Sequence, residues 1–292
     1  MIGEIPIVSF DTSAHNRLAG DTRSEILDCI NSTLWFRFAG SCVEELSATA
    51  KPEDRSELFT NCCRLQHGPN DCLLPSNLLT EQLVLAHFNA PKNFDWKTVN
   101  VRWSDCERAI RDPRFFDDKQ TAGEQRAFQR ERKMVGKQDR ERKRTKRSDI
   151  QAIFEKHGEA PPTIFQPAIS RLEKSGRSVW AAAERFYDRF TKTDTDDATV
   201  EQFMSVCPPF RALVYAMFVP WYHEWIRDYQ TGEKLKAGAN DLFMSVYLPY
   251  CDTFVTGDDD QEKSLRAVAS ASDLETKVLS YDDFCTSFLV TV

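Results

Sequence analysis

The feature that most constrains the fold of this chain is a short apolar, β-rich run that stops at a polar position, where a helical pattern begins. One such run is Ile5 to Phe10, which is followed directly by Asp11. Another is Thr253 to Thr256, and Asp258 lies two residues after its end. Buried strands of this kind are typical of parallel sheets that helices cover on both faces. Four strands are predicted along the chain: Ile5 to Phe10, Leu34 to Ala39, Thr253 to Thr256 and Lys277 to Ser280.

Helical patterns separate these strands. Capping-box pairs predict helix starts at Thr22 and at Ser41, with Glu44 as the capping partner of Ser41. A core helix after Pro209 is expected to kink at Pro220, because an interior proline removes a backbone hydrogen bond. The other predicted helices are Glu53 to Gln66, Asn77 to Phe88, Ser178 to Phe190, Asn240 to Pro249 and Glu262 to Ala269. The alternation predicts an α/β fold, a three-layer α/β/α sandwich with a central, mainly parallel sheet.

The apolar pattern weakens in the middle of the chain. Between about Pro91 and Val200 charged residues are dense, and Pro161-Pro162 interrupts the pattern. We therefore predict one α/β domain formed by residues 1–90 and 201–292. Residues 91–200 are then an inserted, charged and mostly helical region.

The formal net charge of −7 conceals an uneven distribution. Residues 126–147, here called the basic segment, contain eleven lysines and arginines against three acids, so the segment carries +8 and the rest of the chain −15. Such a segment can neutralise RNA phosphates, bind an acidic protein partner, or remain a solvated arm. The predicted nucleic-acid-binding residues are Arg130, Arg132, Lys133, Arg140, Arg142, Lys143 and Arg144.

Cysteine usage and hydropathy indicate a cytoplasmic protein. The nine cysteines are odd in number and form no C-x-x-C pair, which predicts reduced thiols. The sequence Met1 to Phe10 lacks a basic and apolar leader pattern, and the apolar run Ala212 to Tyr222 is well short of the ~20 residues that a membrane span needs. We expect no membrane association, and the pattern predicts no particular oligomeric state.

Four acidic residues lie where a predicted strand ends or a predicted helix begins. They are Asp11, Glu45, Asp241 and Asp258. Because open α/β sheets place their sites at the carboxyl edge, these carboxylates are expected to converge on one crevice. A few carboxylates and a substrate phosphate suffice for Mg²⁺, which keeps several waters. The pattern predicts a site for a hard divalent cation such as Mg²⁺ or Mn²⁺.

The order of these signals resembles that of PIN-domain nucleases. The resemblance is carried by FDTSA, EEL, the helix-opening acid of NDLFM, and YLPYCDTFVTGD followed by VLSYDDF, and it covers roughly residues 4–90 and 201–288. It implies a metal-dependent endoribonuclease, in a family that includes RNA-processing enzymes and toxins of toxin-antitoxin pairs. An RNA substrate and a protein partner such as an antitoxin are implied with it. By position, the four acids of the family fall on Asp11, Glu45, Asp241 and Asp258.

Two further residues have predicted supporting roles. Thr256 precedes Asp258 by two residues and is expected to hydrogen-bond a neighbouring carboxylate. His15 follows Asp11 by four residues and shares its helix face, so it could contact a phosphate; the alternative interpretation is an ordinary surface histidine. Each predicted acid also has a simpler interpretation as a helix cap or as helix-start charge. Asp252 precedes its strand and is expected to be structural.

Two other functions are considered beside the ribonuclease. A non-catalytic PIN-like module would hold nucleic acid or protein through the basic segment and would be indifferent to metal. A phosphatase of the aspartyl-phosphate type also has an aspartate after strand one, but FDTSA lacks the second aspartate expected two residues after Asp11. The sequence His223-Glu224 does not indicate a metalloprotease, because HEWIR lacks the second histidine of H-E-x-x-H.

Overall fold

The computed structural model describes residues 5–23, 25–49, 51–68, 71–111, 127, 130, 164–175, 178–223 and 239–289. Its strands and α-helices are β1 Ile7–Phe10, α1 Thr12–Gly20, α2 Glu25–Thr33, β2 Trp35–Phe36, α3 Gly40–Ser47, α4 Pro52–Arg64, α5 Ser76–Asn89, α6 Ser104–Arg111, α7 Phe165–Ser175, α8 Ser178–Thr191, α9 Asp197–Val206, α10 Pro208–Ala216, α11 Val219–Tyr222, α12 Ala239–Phe243, β3 Thr253–Thr256, α13 Asp259–Ala271, β4 Lys277–Ser280 and α14 Tyr281–Leu289. Short 3₁₀ helices occupy Pro91–Asn93, Trp96–Thr98 and Met244–Tyr250.

The four strands form one parallel sheet in the order β2-β1-β3-β4. At its centre β1 and β3 are neighbours, with Val8 beside Thr253 and Phe10 beside Val255. The fold is therefore α/β with a small sheet and much more helix than strand. The predicted strands Thr253 to Thr256 and Lys277 to Ser280 have the predicted bounds.

Each face of the sheet belongs to a different hydrophobic core. Phe10 and Val255 point to one face, in a core that contains residues of α1, α2, α4 and α14. Phe254 and Val278 point to the other face, in a core that contains residues of α5, α8, α9, α10 and α13. Successive strand residues point to opposite faces, so strands apolar on both faces read as continuous apolar runs.

The second strand is shorter than predicted. The sequence predicts a strand from Leu34 to Ala39, whereas β2 spans only Trp35–Phe36. The amide of Arg37 still donates to Val8 O of β1, at 2.8 Å. The next residue, Phe38, pairs elsewhere and forms an isolated parallel bridge with Cys72. The remaining β-forming residues thus pair with a loop segment that local sequence does not identify.

Helix α3 begins near the predicted place but without the predicted cap. Its N-cap is Ala39, and the Ser41 hydroxyl instead donates to Ser76 Oγ at 3.1 Å and accepts from Ser76 N at 2.9 Å. Ser41 is buried, and its hydroxyl bonds to Ser76 instead of capping α3. The capping-box prediction for Ser41 and Glu44 is therefore wrong.

The predicted core helix near Pro220 is interrupted rather than kinked. Helix α10 ends at Ala216, and α11 begins at Val219, so that Pro220 lies in the first turn of a new helix. Proline is tolerated there because the first-turn amides have no intrahelical acceptor. Within the described residues no single helix is both long and apolar enough to cross a membrane; the pair Asp197–Val206 and Pro208–Tyr222 meets these criteria only together and is bent by 108°.

Part of the region predicted as an insertion packs into the main core. Val179 and Tyr187 of α8 are fully buried in the core that also contains Leu83 of α5 and Phe210 of α10. The Tyr187 hydroxyl and His87 Nδ1 share a hydrogen bond of 2.8 Å. The described residues from 165 to 200 therefore contribute to the same core as residues on both sides of them in sequence.

Candidate functional site

The candidate site is the crevice at the carboxyl ends of β1 and β3. After β1 the chain passes through α1 and α2 to β2 on one side, and after β3 it passes through α13 to β4 on the other side. Neighbouring strands whose connections leave in opposite directions open a crevice at their carboxyl ends, where open α/β sheets bind ligands. Asp11 follows β1 directly, and Asp258 lies two residues after β3.

Asp11 is the most enclosed of the four predicted acids, at 2 % exposure. Its Oδ1 accepts hydrogen bonds from Ala14 N at 2.7 Å and from Ser13 Oγ at 2.8 Å. Its Oδ2 accepts from Thr256 Oγ1 at 2.6 Å, which is the type of contact predicted for Thr256. The bond from Ala14 also makes Asp11 the N-cap of α1. The Gly257 amide also stabilises the ionised carboxylate, so four donors surround its roughly four acceptor positions.

The charge of Asp11 is stabilised only in part. Burial raises the pKa of Asp11 to about 6, although the hydrogen bonds from Thr256, Ala14 and Ser13 act in the opposite direction. Among the described residues the donors to this carboxylate are hydroxyl and amide groups, with no cationic side chain. An opposite charge beside the carboxylate would favour its ionised form.

Ser13 joins the two central strand ends. Its hydroxyl donates to Asp11 and accepts from Gly257 N at 2.7 Å. A side chain at position 257 would place its Cβ 3.0 Å from the carbonyl carbon, carbonyl oxygen and Oγ of Ser13. A side chain there would require Ser13 to shift by a few tenths of an ångström, so the close approach favours a glycine directly after Thr256.

Glu45 lies on the other side of Asp11. Thr12 Oγ1 donates to Glu45 Oε2 at 2.5 Å, which ties α3 to the residue that follows Asp11. Cys42, one turn earlier on α3, donates from Sγ to Phe10 O at 3.4 Å. Burial raises the pKa of the Cys42 thiol well above its ordinary value, and the nearby charges of Asp11 and Glu45 act in the same direction. Both carboxylates therefore lie near one buried, protonated thiol.

Asp258 and Asp241 join the same hydrogen-bond network through α13. Asp258 is the N-cap of α13, and its Oδ1 accepts from Asp260 N and Gln261 N at 2.9 Å each. The amide of Asp258 donates to Thr256 Oγ1 at 3.0 Å. Gln261 places its Oε1 3.1 Å from Thr256 Oγ1 and donates from Nε2 to Asp241 O at 3.2 Å. The network thus connects the Asp11 carboxylate to the backbone of Asp241 and of Asp258, and Thr12 connects Glu45 to the same strand end.

His15 is in the core rather than in the crevice. It is 3 % exposed, its ring stacks on Phe38 with centroids 6.0 Å apart, and its Nδ1 lies 3.8 Å from Cys62 Sγ. Burial lowers the pKa of His15 to about 4, so the imidazole is neutral at neutral pH. The predicted contact between His15 and a phosphate is therefore wrong, because the face of α1 that carries His15 packs against the apolar core.

The donor chemistry fits a hard divalent cation held by few protein oxygens. Asp11 and Glu45 supply carboxylate oxygens on either side of Thr12. The described residues contain no group of three or more His, Cys, Asp or Glu side chains placed to hold a metal ion. Mg²⁺ commonly takes one or two carboxylates together with waters and substrate phosphates, and Asp11 and Glu45 are the residues that could hold it in that mode.

The arginines beside the strand ends are paired with acids. Arg37, which follows β2, lies 3.0 Å from Asp71, and Arg17 of α1 lies 3.0 Å from Asp282, which follows β4. Of the predicted nucleic-acid-binding residues, Arg130 is described and is exposed in a helical conformation. The others, Arg132, Lys133, Arg140, Arg142, Lys143 and Arg144, lie outside the described residues.

Sequence reasoning did not identify Ser13 and Gln261 as members of the network. Ser13 stands two residues after a strand-ending aspartate, where hydroxyls commonly bond to nearby polar groups, and this position could have been noticed. Gln261 stands three residues after the N-cap Asp258, which by itself predicts only a capping box.

Comparison of the chain with protein-family models, with curated proteins and with solved structures finds no match in any of the three.

Proposed function

We propose that the chain is a divalent-cation-dependent phosphodiesterase that cleaves RNA. Asp11 and Glu45 are the proposed main ligands of Mg²⁺ or Mn²⁺, and Asp241 and Asp258 complete the acidic crevice. The observation that carries the proposal is Asp11 itself, 2 % exposed at the carboxyl end of β1 and without a cationic partner among the described residues. Buried charge without a countercharge is costly, and such carboxylates concentrate at functional sites.

The proposal includes the PIN-like architecture that the motif order resembles. The parallel order β2-β1-β3-β4 supports it, as do the separate cores on the two faces of the sheet. Within this architecture residues 91–200 are the proposed insertion. The two central strand ends carry the first and last acids of the motif order, Asp11 and Asp258.

The residues of the crevice have distinct proposed roles. A bound cation would supply a water of lowered pKa and would neutralise charge on the phosphate. Ser13 and Thr256 hold the Asp11 carboxylate in one orientation, and Thr12 does the same for Glu45. Asp258 uses Oδ1 for its cap, while no donor among the described residues reaches its Oδ2. That oxygen faces solvent and is the one we assign to cation or water.

The RNA contact is proposed to lie in the basic segment. The arginines beside the strand ends already pair with acids, which reduces their capacity to bind a phosphate backbone. The basic segment carries +8 and can supply that charge. An acidic protein partner, such as an antitoxin, would compete for the same segment.

The test compares Asp11→Asn, Glu45→Gln and the double variant Asp11→Asn/Asp241→Asn with wild type. Exposed acids outside the crevice provide matched controls, Asp194→Asn and Glu57→Gln. Cleavage of a labelled RNA oligonucleotide in Mn²⁺ is expected to fall at least about 100-fold in the three crevice variants and to be unchanged in the controls. Unchanged cleavage by the double variant overturns the proposal.

A second candidate function is the non-catalytic binding module. It is favoured by the use of Asp11 and Asp258 as N-caps of α1 and α13, since caps need no metal. This function predicts RNA or acidic-protein binding that weakens with salt, is the same in Mn²⁺ and in EDTA, and survives Asp11→Asn. Two results together would favour the module. Wild type would cleave no RNA, and binding would be lost when Arg142, Lys143 and Arg144 are replaced by glutamate.

A further inference from the structure

We propose that Gln261 is a positioning residue that holds the segment carrying Asp241 against the Asp11–Thr256 pair. The inference rests on the proposed function, in which Asp241 is one of the acids of the metal site. It adds a residue that no motif identifies. The role of this residue is to set the distance between the segment that carries Asp241 and the Asp11–Thr256 pair.

Gln261 is a buried amide that contacts two separate elements. It lies in the first turn of α13 and is 4 % exposed. Its Oε1 is 3.1 Å from Thr256 Oγ1 at the end of β3, and its Nε2 donates to Asp241 O in α12 at 3.2 Å. Helix α12 has only five residues, and so short a helix depends on contacts with the rest of the protein. The Gln261 amide provides such a contact next to Asp241.

The side chain of Gln261 is not used for helix capping. A glutamine three residues after an N-cap ordinarily returns to the backbone amide of the cap residue. Here the amide of Asp258 donates to Thr256 Oγ1 instead, at 3.0 Å. Because Thr256 Oγ1 takes the place of the glutamine oxygen as acceptor for the Asp258 amide, the Gln261 side chain is available to contact Asp241 O.

Thr256 connects this contact to the state of Asp11. The hydroxyl of Thr256 has one hydrogen and three acceptors within reach, Asp11 Oδ2 at 2.6 Å, Gln261 Oε1 at 3.1 Å and Ser13 Oγ at 3.3 Å. The hydrogen bond to an ionised carboxylate is the strongest of the three. A cation held by Asp11 would weaken the demand of this carboxylate for the hydrogen, which Thr256 could then donate to Gln261.

The experiment compares Gln261→Leu and Gln261→Glu with wild type and with Gln202→Leu, a control at an exposed glutamine of α9. Leucine removes both amide contacts at similar size, while glutamate keeps the oxygen near Thr256 and loses the donor to Asp241 O. Amide hydrogen exchange over residues 239–250 and Mn²⁺ affinity by calorimetry are measured for each protein. Both Gln261 variants are expected to exchange about 10-fold faster in this segment and to bind Mn²⁺ about 10-fold more weakly, with Gln202→Leu unchanged.

Added Mn²⁺ is expected to slow exchange of residues 239–250 in wild type and not in Gln261→Leu. Unchanged exchange in both Gln261 variants overturns the positioning role, and so does faster exchange with undiminished Mn²⁺ affinity. Failure of the proposed function has a different signature, because wild type itself would then bind no Mn²⁺. If Gln261→Leu does not fold, the isosteric Gln261→Glu decides the comparison.

Discussion

His15 follows Asp11 by one helical turn, and its backbone amide donates to Asp11 O at 3.1 Å. Both side chains are buried, at 3 % and 2 % exposure. Burial raises the pKa of Asp11 to about 6 and lowers the pKa of His15 to about 4. Helix α1 thus begins with two titratable groups whose neutral forms burial favours and whose effects on the pH dependence of stability are opposite.

The two effects are expected to cancel in wild type between about pH 4 and pH 6. For Asp11, whose folded pKa is raised, stability is full below the unfolded value of 3.8 and is lost as pH rises through about 6. For His15, whose folded pKa is lowered, stability is full above the unfolded value of 6.5 and is lost as pH falls toward about 4. Each contribution is about 3 kcal/mol in the free energy of unfolding.

Single substitutions should reveal each contribution. In metal-free urea unfolding from pH 4 to pH 7, Asp11→Asn is expected to lose stability as pH falls, because only His15 then titrates. His15→Leu is expected to lose stability as pH rises, because only Asp11 then titrates. Parallel pH profiles for wild type and both variants would contradict this account.

Asp11→Asn is also expected to stabilise the metal-free protein at pH 7.5. Asparagine keeps an oxygen for the amide of Ala14, and its amide can donate to Thr256 Oγ1, so the network survives without a buried charge. The expected gain is up to about 3 kcal/mol, measured as a higher melting temperature in EDTA. Mn²⁺ should raise the melting temperature of wild type and not that of the variant. Asp194→Asn is the matched control, and a lower melting temperature for Asp11→Asn would count against the prediction.

Thr256→Val should weaken the hold on Asp11 with little change in side-chain size. It removes the hydroxyl that donates to Asp11 Oδ2 and accepts from Asp258 N. We expect the pKa of Asp11 to rise further, since this bond lowers it, and the protein to lose about 1–3 kcal/mol. Carboxyl titration followed by NMR checks the pKa. Thr256→Ser keeps the hydroxyl and should behave like wild type; an equal effect of both substitutions would implicate packing instead.

Gly40→Ala is expected to destabilise the junction between α3 and residues 73–75. A Cβ at position 40 would lie 2.5 Å from Pro75 N and 2.6 Å from the carbonyl carbon of Leu74, and it would also contact Leu73 O. Backbone atoms cannot move aside as a flexible side chain does, so a loss of about 3 kcal/mol or more is expected in urea unfolding. Gly20→Ala is the control, because nothing lies within 4 Å of its added Cβ. That substitution should gain about 0.5–1 kcal/mol from helix propensity, and similar losses at both positions would refute the close-packing argument.

The sequence was sufficient for the features that depend on neighbouring residues. Strand β3 and strand β4 were predicted because apolar β-formers stop at polar residues, and the acids at strand ends followed from parallel pairing. The early end of β2, the position of the Ser41 hydroxyl and the burial of His15 depend on residues distant in sequence, such as Ser76 and Phe38. Gln261 illustrates the limit: its local position predicts a cap, and only the contact of Thr256 with the Asp258 amide redirects it.

The pairing of β1 with β3 also determines when the crevice can form during synthesis. Asp11 and Thr256 are separated by 245 positions, so the hydroxyl that holds the Asp11 carboxylate is translated long after it. At about 5–20 residues per second the delay is roughly 12–50 s. Throughout that interval β1 lacks its central neighbour on the nascent chain. The two central strand ends can therefore meet only after Thr256 has been translated, long after the segment that carries Asp11.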